Sequence, residues 1–308
     1  MSDAPVVVEA PAPTAGRWSG WPMAIFSTVC FSLAPPLGKA AIDLGMDALA
    51  LLVLRMLLAA LLLGATVLLA SPARLRIDRR GLLLCLGAGL ANGVGMVMFF
   101  RSLGRLNASI ASMIFSLSPL VLLLVLALRG EKFTCRNGVR LLLGLGGVYL
   151  LIGPGGEVDS LGVLLAMGTI VTVPIQILVM QWYLQEYDAY AVTFYMVVGM
   201  LLVAGAWWLA QGLPWQPVGP AAWWLLLALV VVSTFVARVT MFAAIRVIGG
   251  GEVGLLAPFE TMLTVVWSVL FLREWLNPLQ WVGGGLILLS ALLAVLRLKR
   301  VRWRAGAV

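Results

Sequence analysis

Ten runs of mostly apolar residues, at about 19–41, 47–70, 81–100, 107–128, 137–152, 160–184, 190–211, 221–247, 253–272 and 279–297, alternate with short connectors that hold most of the charge. A helix needs about 20 apolar residues to cross a hydrocarbon core about 30 Å thick. The runs have that length, apart from 137–152, which is short and implies a thinned region or an extension past the apolar stretch. Polar and apolar positions do not alternate with a period of two, which argues against an outer-membrane-type barrel. The pattern predicts an all-α integral membrane protein of about ten transmembrane helices. Residues 1–18 read as a disordered tail without the features of a signal peptide, and 298–308 as a basic tail.

Composition agrees with this reading. The 308 residues are 62% hydrophobic and 11% charged, against about 25% charged in a soluble domain. The net charge of +8 does not mark a nucleic-acid surface, because the Lys and Arg fall in connectors. Arg74, Arg76, Arg79 and Arg80, then Arg129, Lys132 and Arg136, then Lys299, Arg300, Arg302 and Arg304 share one side if there are ten spans. The positive-inside bias then places both termini in the cytoplasm and the protein in the cytoplasmic (inner) membrane, with Arg101, Arg105 and Arg273 outnumbered. Seven tryptophans, Trp207, Trp208, Trp215, Trp223, Trp224, Trp275 and Trp281, form a belt near the opposite boundary. There is no His, and Cys30, Cys85 and Cys135 are dispersed. No metal site or cofactor is expected, and without a Walker A motif the chain is not expected to drive itself with ATP.

The chain repeats. A shift of 143 residues lays Met98-Phe99 on Met241-Phe242, Glu131 on Glu274 and Thr134 on Asn277. The halves, 19–152 and 160–297, hold five spans each. An odd number inverts the second half across the membrane, an arrangement common in secondary transporters with a site near the midplane. Glu131 and Glu274 end spans and are expected to favour the dipole of the following helix.

Two charges lie inside the runs flanking Gly249-Gly250-Gly251. Arg238 is 11 residues before Gly249 and Glu260 is 11 after it, each about 16 Å from the turn along a helix. One reading makes them a substrate or proton site, Arg238 taking a carboxylate and Glu260 an amine or a proton. The other makes them an ion pair that locks adjacent helices. Pro35-Pro36 and Pro174 interrupt the first span of each half and would free backbone groups along a cavity, or only kink a packed helix. Gln176, Asn92, Ser116, Ser118 and Trp267 are further candidates to line that cavity. Each has a packing alternative, such as an interhelical hydrogen bond for Gln176 and a bond to the preceding turn for the serines. The glycines around Asn92 read as helix packing. Lys39 and Arg55 are expected near span ends on the outer side, where both can snorkel to the interface, the expectation for Lys39; Arg55 can instead attract an anionic group.

Ser118-Pro119-Leu120 running to Gly130-Glu131-Lys132-Phe133-Thr134, Pro258 running to Arg273-Glu274-Trp275-Leu276-Asn277, Phe31-Ser32 with Lys39, Leu54-Arg55-Met56 and Phe99-Phe100-Arg101-Ser102-Leu103 together resemble the EamA type of the drug/metabolite transporter superfamily. Arg273 stands where that family usually has Gly. The resemblance covers about 20–297. It implies two inverted five-helix repeats and transport of a small organic solute, such as an amino acid or related metabolite, commonly outward. The expected partners are that small-molecule substrate, the lipid bilayer and protons as the candidate coupling ion. The alternatives are a membrane-embedded enzyme, for which no His-Glu-x-x-His or Gly-x-Ser-x-Gly constellation is present, and a structural membrane protein.

Overall fold

The computed structural model describes residues 17–70, 75, 77–128, 135–152, 158–183, 187–212, 218–248, 253 and 256–305. Residues 1–16 of the expected tail, the Gly249–Gly251 turn, Arg74, Arg76, Arg129, Glu131, Lys132 and Glu157 lie outside these. The described residues form helices and turns and no strand. In order the helices are α1 (Arg17–Ser32), α2 (Ala34–Asp43), α3 (Ala48–Ala70), α4 (Arg79–Leu103), α5 (Ala108–Phe115), α6 (Ser118–Leu128), α7 (Cys135–Ile152), α8 (Ser160–Tyr183), α9 (Ala189–Ala210), α10 (Pro220–Val230), α11 (Ala237–Ile248), α12 (Ala257–Leu272) and α13 (Pro278–Ala305).

They make ten passes. The first is α1 with α2, the fourth is α5 with α6, and the eighth is α10 and α11 joined by a π-helical turn, Val231–Val236. Apolar helices at 20–43, 48–69, 79–103, 190–210 and 220–241 are long enough to span a bilayer, and shorter ones fill 108–122, 137–152, 160–176, 257–272 and 278–294. The short fifth run becomes the 18-residue α7, about 27 Å long at 1.5 Å per residue. Leu61, Leu69, Leu142, Leu164, Leu209 and Phe271 are among many large apolar side chains pointing outward, as a lipid-facing surface requires. With five passes in each half, the second repeat runs inverted relative to the first.

Glycine sets the tightest crossings. Where α4 meets α9, a Cβ on Gly89 would lie 2.5 Å from the Met196 carbonyl oxygen and 3.1 Å from Gly199 Cα. Where α7 meets α13, Gly147 and Gly283 face each other, and a Cβ on either would lie 2.6 Å from the other's carbonyl oxygen. In lipid, helices gain little from hydrophobic burial against one another, so close backbone approach supplies the attraction.

Pass 1 ends at the far face, opposite the side on which it starts. Lys39 does not extend freely there: its Nζ lies 3.1 Å from Asp43 Oδ1, one helical turn on. Asp159 accepts from the backbone N–H of Gly162 at 2.9 Å and pairs with Arg105 at 2.8 Å. Those two contacts, the backbone bond first, hold its carboxyl below the usual carboxylate range.

Glu274 acts across the repeats and does not serve the following helix. Its carboxylate accepts from the N–H of Ala108 at 2.6 Å, the N–H of Ser109 at 3.0 Å and the Ser109 hydroxyl at 2.6 Å. These are orphan donors of the first turn of α5, which a helix cannot satisfy itself; Asn107, the residue at the cap position, makes no side-chain bond to them. An anion also suits the positive end of that helix. Glu274→Ala is expected to cost about 1–3 kcal/mol, the penalty for leaving partly buried donors unpaired. Hydrogen exchange at residues 108–112 should rise selectively, and unchanged protection there would contradict the capping role.

Candidate functional site

Pass 1 is broken by chemistry visible in Pro35-Pro36. α1 ends at Ser32, and α2 restarts with proline in its first turn, where the missing N–H costs nothing. Pro36 cannot donate to the carbonyl four residues earlier, that of Ser32. The released oxygen is instead met by Thr264 Oγ1 of α12 at 2.9 Å. Trp267, three residues on and on the same helix face, donates its indole N–H to Ser32 Oγ at 2.9 Å. Its ring stacks on Phe271. Pro35 and Trp267 thus belong to one feature, a break in pass 1 read by α12.

A second break interrupts pass 4. α5 stops at Phe115, Ser116 and Leu117 turn, and α6 begins at Ser118-Pro119. The buried Ser116 hydroxyl donates to Met113 O at 2.7 Å, the local bond open to a serine. A small cavity of about 60 Å³ lies beside it, lined by Ser116, Ser118, Glu260, Thr261 and neighbouring apolar groups. Glu260 is in the first turn of α12, where the helix dipole favours its charge. That helix begins at Ala257-Pro258, so Glu260 stands near a helix start and not deep within an unbroken one.

The third irregularity is the π turn of pass 8, which nothing in Val231–Val236 announces. Thr234 Oγ1 donates to Leu229 O at 3.2 Å and accepts from Arg55 Nε at 3.0 Å. Arg55, expected near the end of its span, is 5% exposed, with its guanidinium 5.6 Å above the ring of buried Phe100. Arg238 follows Thr234 by one turn. Its Nε is buried without a hydrogen-bond partner. Single-turn π bulges are frequent at functional sites because they re-aim side chains.

Arg238 and Glu260 form no ion pair within 4 Å; among the described residues such pairs are Lys39–Asp43 and Arg105–Asp159. The reason is topological. α1 packs against both α11 and α12, which make little contact with each other, so pass 1 is wedged between the helices carrying the two charges. Ser27 Oγ fixes that wedge by donating to Ala237 O at 3.0 Å.

Three other candidates fall elsewhere. Asn92 is 8% exposed and turns toward α9, its Nδ2 3.4 Å from Met200 Sδ, so it belongs to the α4–α9 crossing. Pro174 does not interrupt pass 6: α8 runs through it from Ser160 to Tyr183. Membrane helices tolerate an internal proline because neighbouring groups re-satisfy the freed backbone, and α8 is braced on α4, Thr169 Oγ1 donating to Gly95 O at 3.1 Å. Gln176 is half-buried and engaged within the protein. Thr234 and Thr264 were missed, and Ser32 entered only through the Phe31-Ser32 motif, without a site role; the spacings Thr234/Arg238 and Thr264/Trp267, each placing two polar groups on one helix face, were the available signal.

A larger cavity of about 410 Å³ opens at the far face among Arg105, Asn107, Asp159, Trp275, Asn277 and Gln280. Its charges already pair with each other, and it lies apart from Arg55, Arg238 and Glu260.

Comparison with known proteins agrees with this architecture. Sixteen solved chains match; one, titled "Crystal structure of protein", is 19% identical, covers 92% of this chain and 99% of its own, and superposes with a TM-score of 0.64, a likeness of fold. No curated protein matches. The family model described as the EamA-like transporter family matches twice, over residues 18–153 and 160–296. Those boundaries coincide with the two five-pass repeats, and the chain belongs to the EamA-like transporter family, a group of multi-pass membrane transporters.

Proposed function

We propose that this transporter moves a small organic solute, an amino acid or related metabolite, across the cytoplasmic membrane by alternating access between its repeats. The direction is outward, and Glu260 takes up the coupling proton. One observation carries the reading: ionisable groups from both repeats, Arg55 in the first and Arg238 and Glu260 in the second, are held in the interior around the broken pass 1 without an ion pair between them. A charge kept in lipid at such cost is retained where cargo or protons meet it. Breaks in passes 1 and 4 and the π turn of pass 8 supply irregular backbone where an enclosed site tolerates it. The basic connectors support a cytoplasmic location for both termini.

Purified protein in proteoliposomes tests this reading. Counterflow of labelled amino acids or organic acids, dependent on the protein, is the expected result. Absence of counterflow across that panel, with correctly folded protein, overturns it.

A further inference from the structure

We propose that Arg55 and Arg238 together form an anion seat, and that the cargo is a net-negative organic solute whose oxyanion group, a carboxylate or a phosphate ester, lies between the two guanidiniums. This rests on the transport reading above and narrows its substrate class. Thr234 accepts from Arg55 at 3.0 Å, and Arg238 is one turn further along the same pass, so the π turn brings a group from pass 2 to a cation on pass 8. Arg55 donates through Nε to Thr234, and among the described residues no acceptor meets its terminal nitrogens. Arg238 Nε has none either, and the hydroxyl of Ser233 on the same turn is also buried and unpartnered.

Two like charges near one another in a poorly solvated interior are unfavourable unless something neutralises them. Among the described residues nothing supplies that group. Apart from Glu260, the acidic side chains of the described residues lie at the two faces, and Glu260 pairs with neither arginine. Guanidinium donors form planar forks that match the two oxygens of a carboxylate or phosphate. Phe100 beneath Arg55 holds its plane in place.

The test is the melting temperature of the purified protein with succinate, glutamate or glycerol 3-phosphate, against glycerol and putrescine. Anions should raise it by mass action. Comparing the two carboxylates with the phosphate ester identifies which oxyanion is taken. Arg238→Gln should weaken apparent binding tenfold or more and erase the shift, and Arg55→Gln should do the same, while Arg105→Gln at the far face keeps it. If Arg55→Gln does not fold, Arg238→Gln decides. The seat is overturned if no anion shifts the melt, if glycerol or putrescine shifts it equally, or if Arg238→Gln leaves the shift intact. Counterflow of the same probes separates the two readings. Anion binding without counterflow refutes transport and leaves the seat standing; counterflow of neutral or cationic solutes alone does the reverse.

Discussion

Glu260→Gln is expected to abolish proton-driven transport while leaving the protein folded and close to wild-type stability. The two halves of this expectation have different physical sources. Loss of coupling follows if the carboxyl beside Ser116 and Ser118 is the group that takes the proton, since an amide of the same shape cannot. Retained stability follows from the absence of any ion pair to Arg238. Removing one member of a buried pair typically costs about 3–5 kcal/mol by stranding the other charge. In a protein this size that would lower the melting temperature by about 10 °C. Exchange of solute across the membrane without net proton movement should survive in the variant. Transport assays with and without an imposed pH gradient, run beside a thermal melt, check both halves. Normal gradient-driven uptake would remove Glu260 from the coupling step, and a large drop in the melt would reveal a cationic partner that the geometry does not show.

The second large effect concerns assembly. Gly89→Ala is expected to destabilise the protein by about 1–3 kcal/mol, the usual cost of overpacking, and to do so through backbone. The added carbon would meet the Met196 carbonyl and the Cα atoms of Met196 and Gly199, none of which can swing aside as a side chain can. Gly147→Ala and Gly283→Ala should behave alike at the α7–α13 crossing, where each meets the other's carbonyl oxygen. Gly87, two residues from Gly89, is the control: nothing lies within 4 Å of its would-be Cβ. There alanine should be neutral or mildly stabilising, as helix propensity favours it by up to about 1 kcal/mol. Melting curves and elution profiles in detergent distinguish the cases. If Gly89→Ala melts like Gly87→Ala, the crossing is looser than its geometry implies.

The ten passes could be read from the sequence because an apolar run of membrane length has few other uses. The two repeats were legible as well, since acidic residues such as Glu131 and Glu274 stand out against an apolar background. The site was only partly legible. Pro35-Pro36 announced a break because two consecutive residues lack the N–H that would continue the helix, whereas the same reasoning failed at Pro174, where one missing donor is absorbed by a braced helix. Arg55 was placed by counting from a span end, which says nothing about where its side chain lies; its bond to Thr234 joins residues 179 positions apart. The π turn has no signature in a stretch as ordinary as Val-Val-Ser-Thr-Phe-Val. Matched depth put Arg238 and Glu260 side by side, but depth along the membrane normal does not record which helix stands between them, and here α1 does.

The carboxylate of Glu274 also bears on how the chain is made. The start of α5 is inserted early in synthesis, yet the group that satisfies its free amides arrives 165 or 166 residues later. Until pass 9 leaves the ribosome, the fourth pass must rest with its leading turn open to water or headgroups. The first repeat is therefore completed only by the second, and an isolated N-terminal half would lack the acceptor that closes its fourth pass.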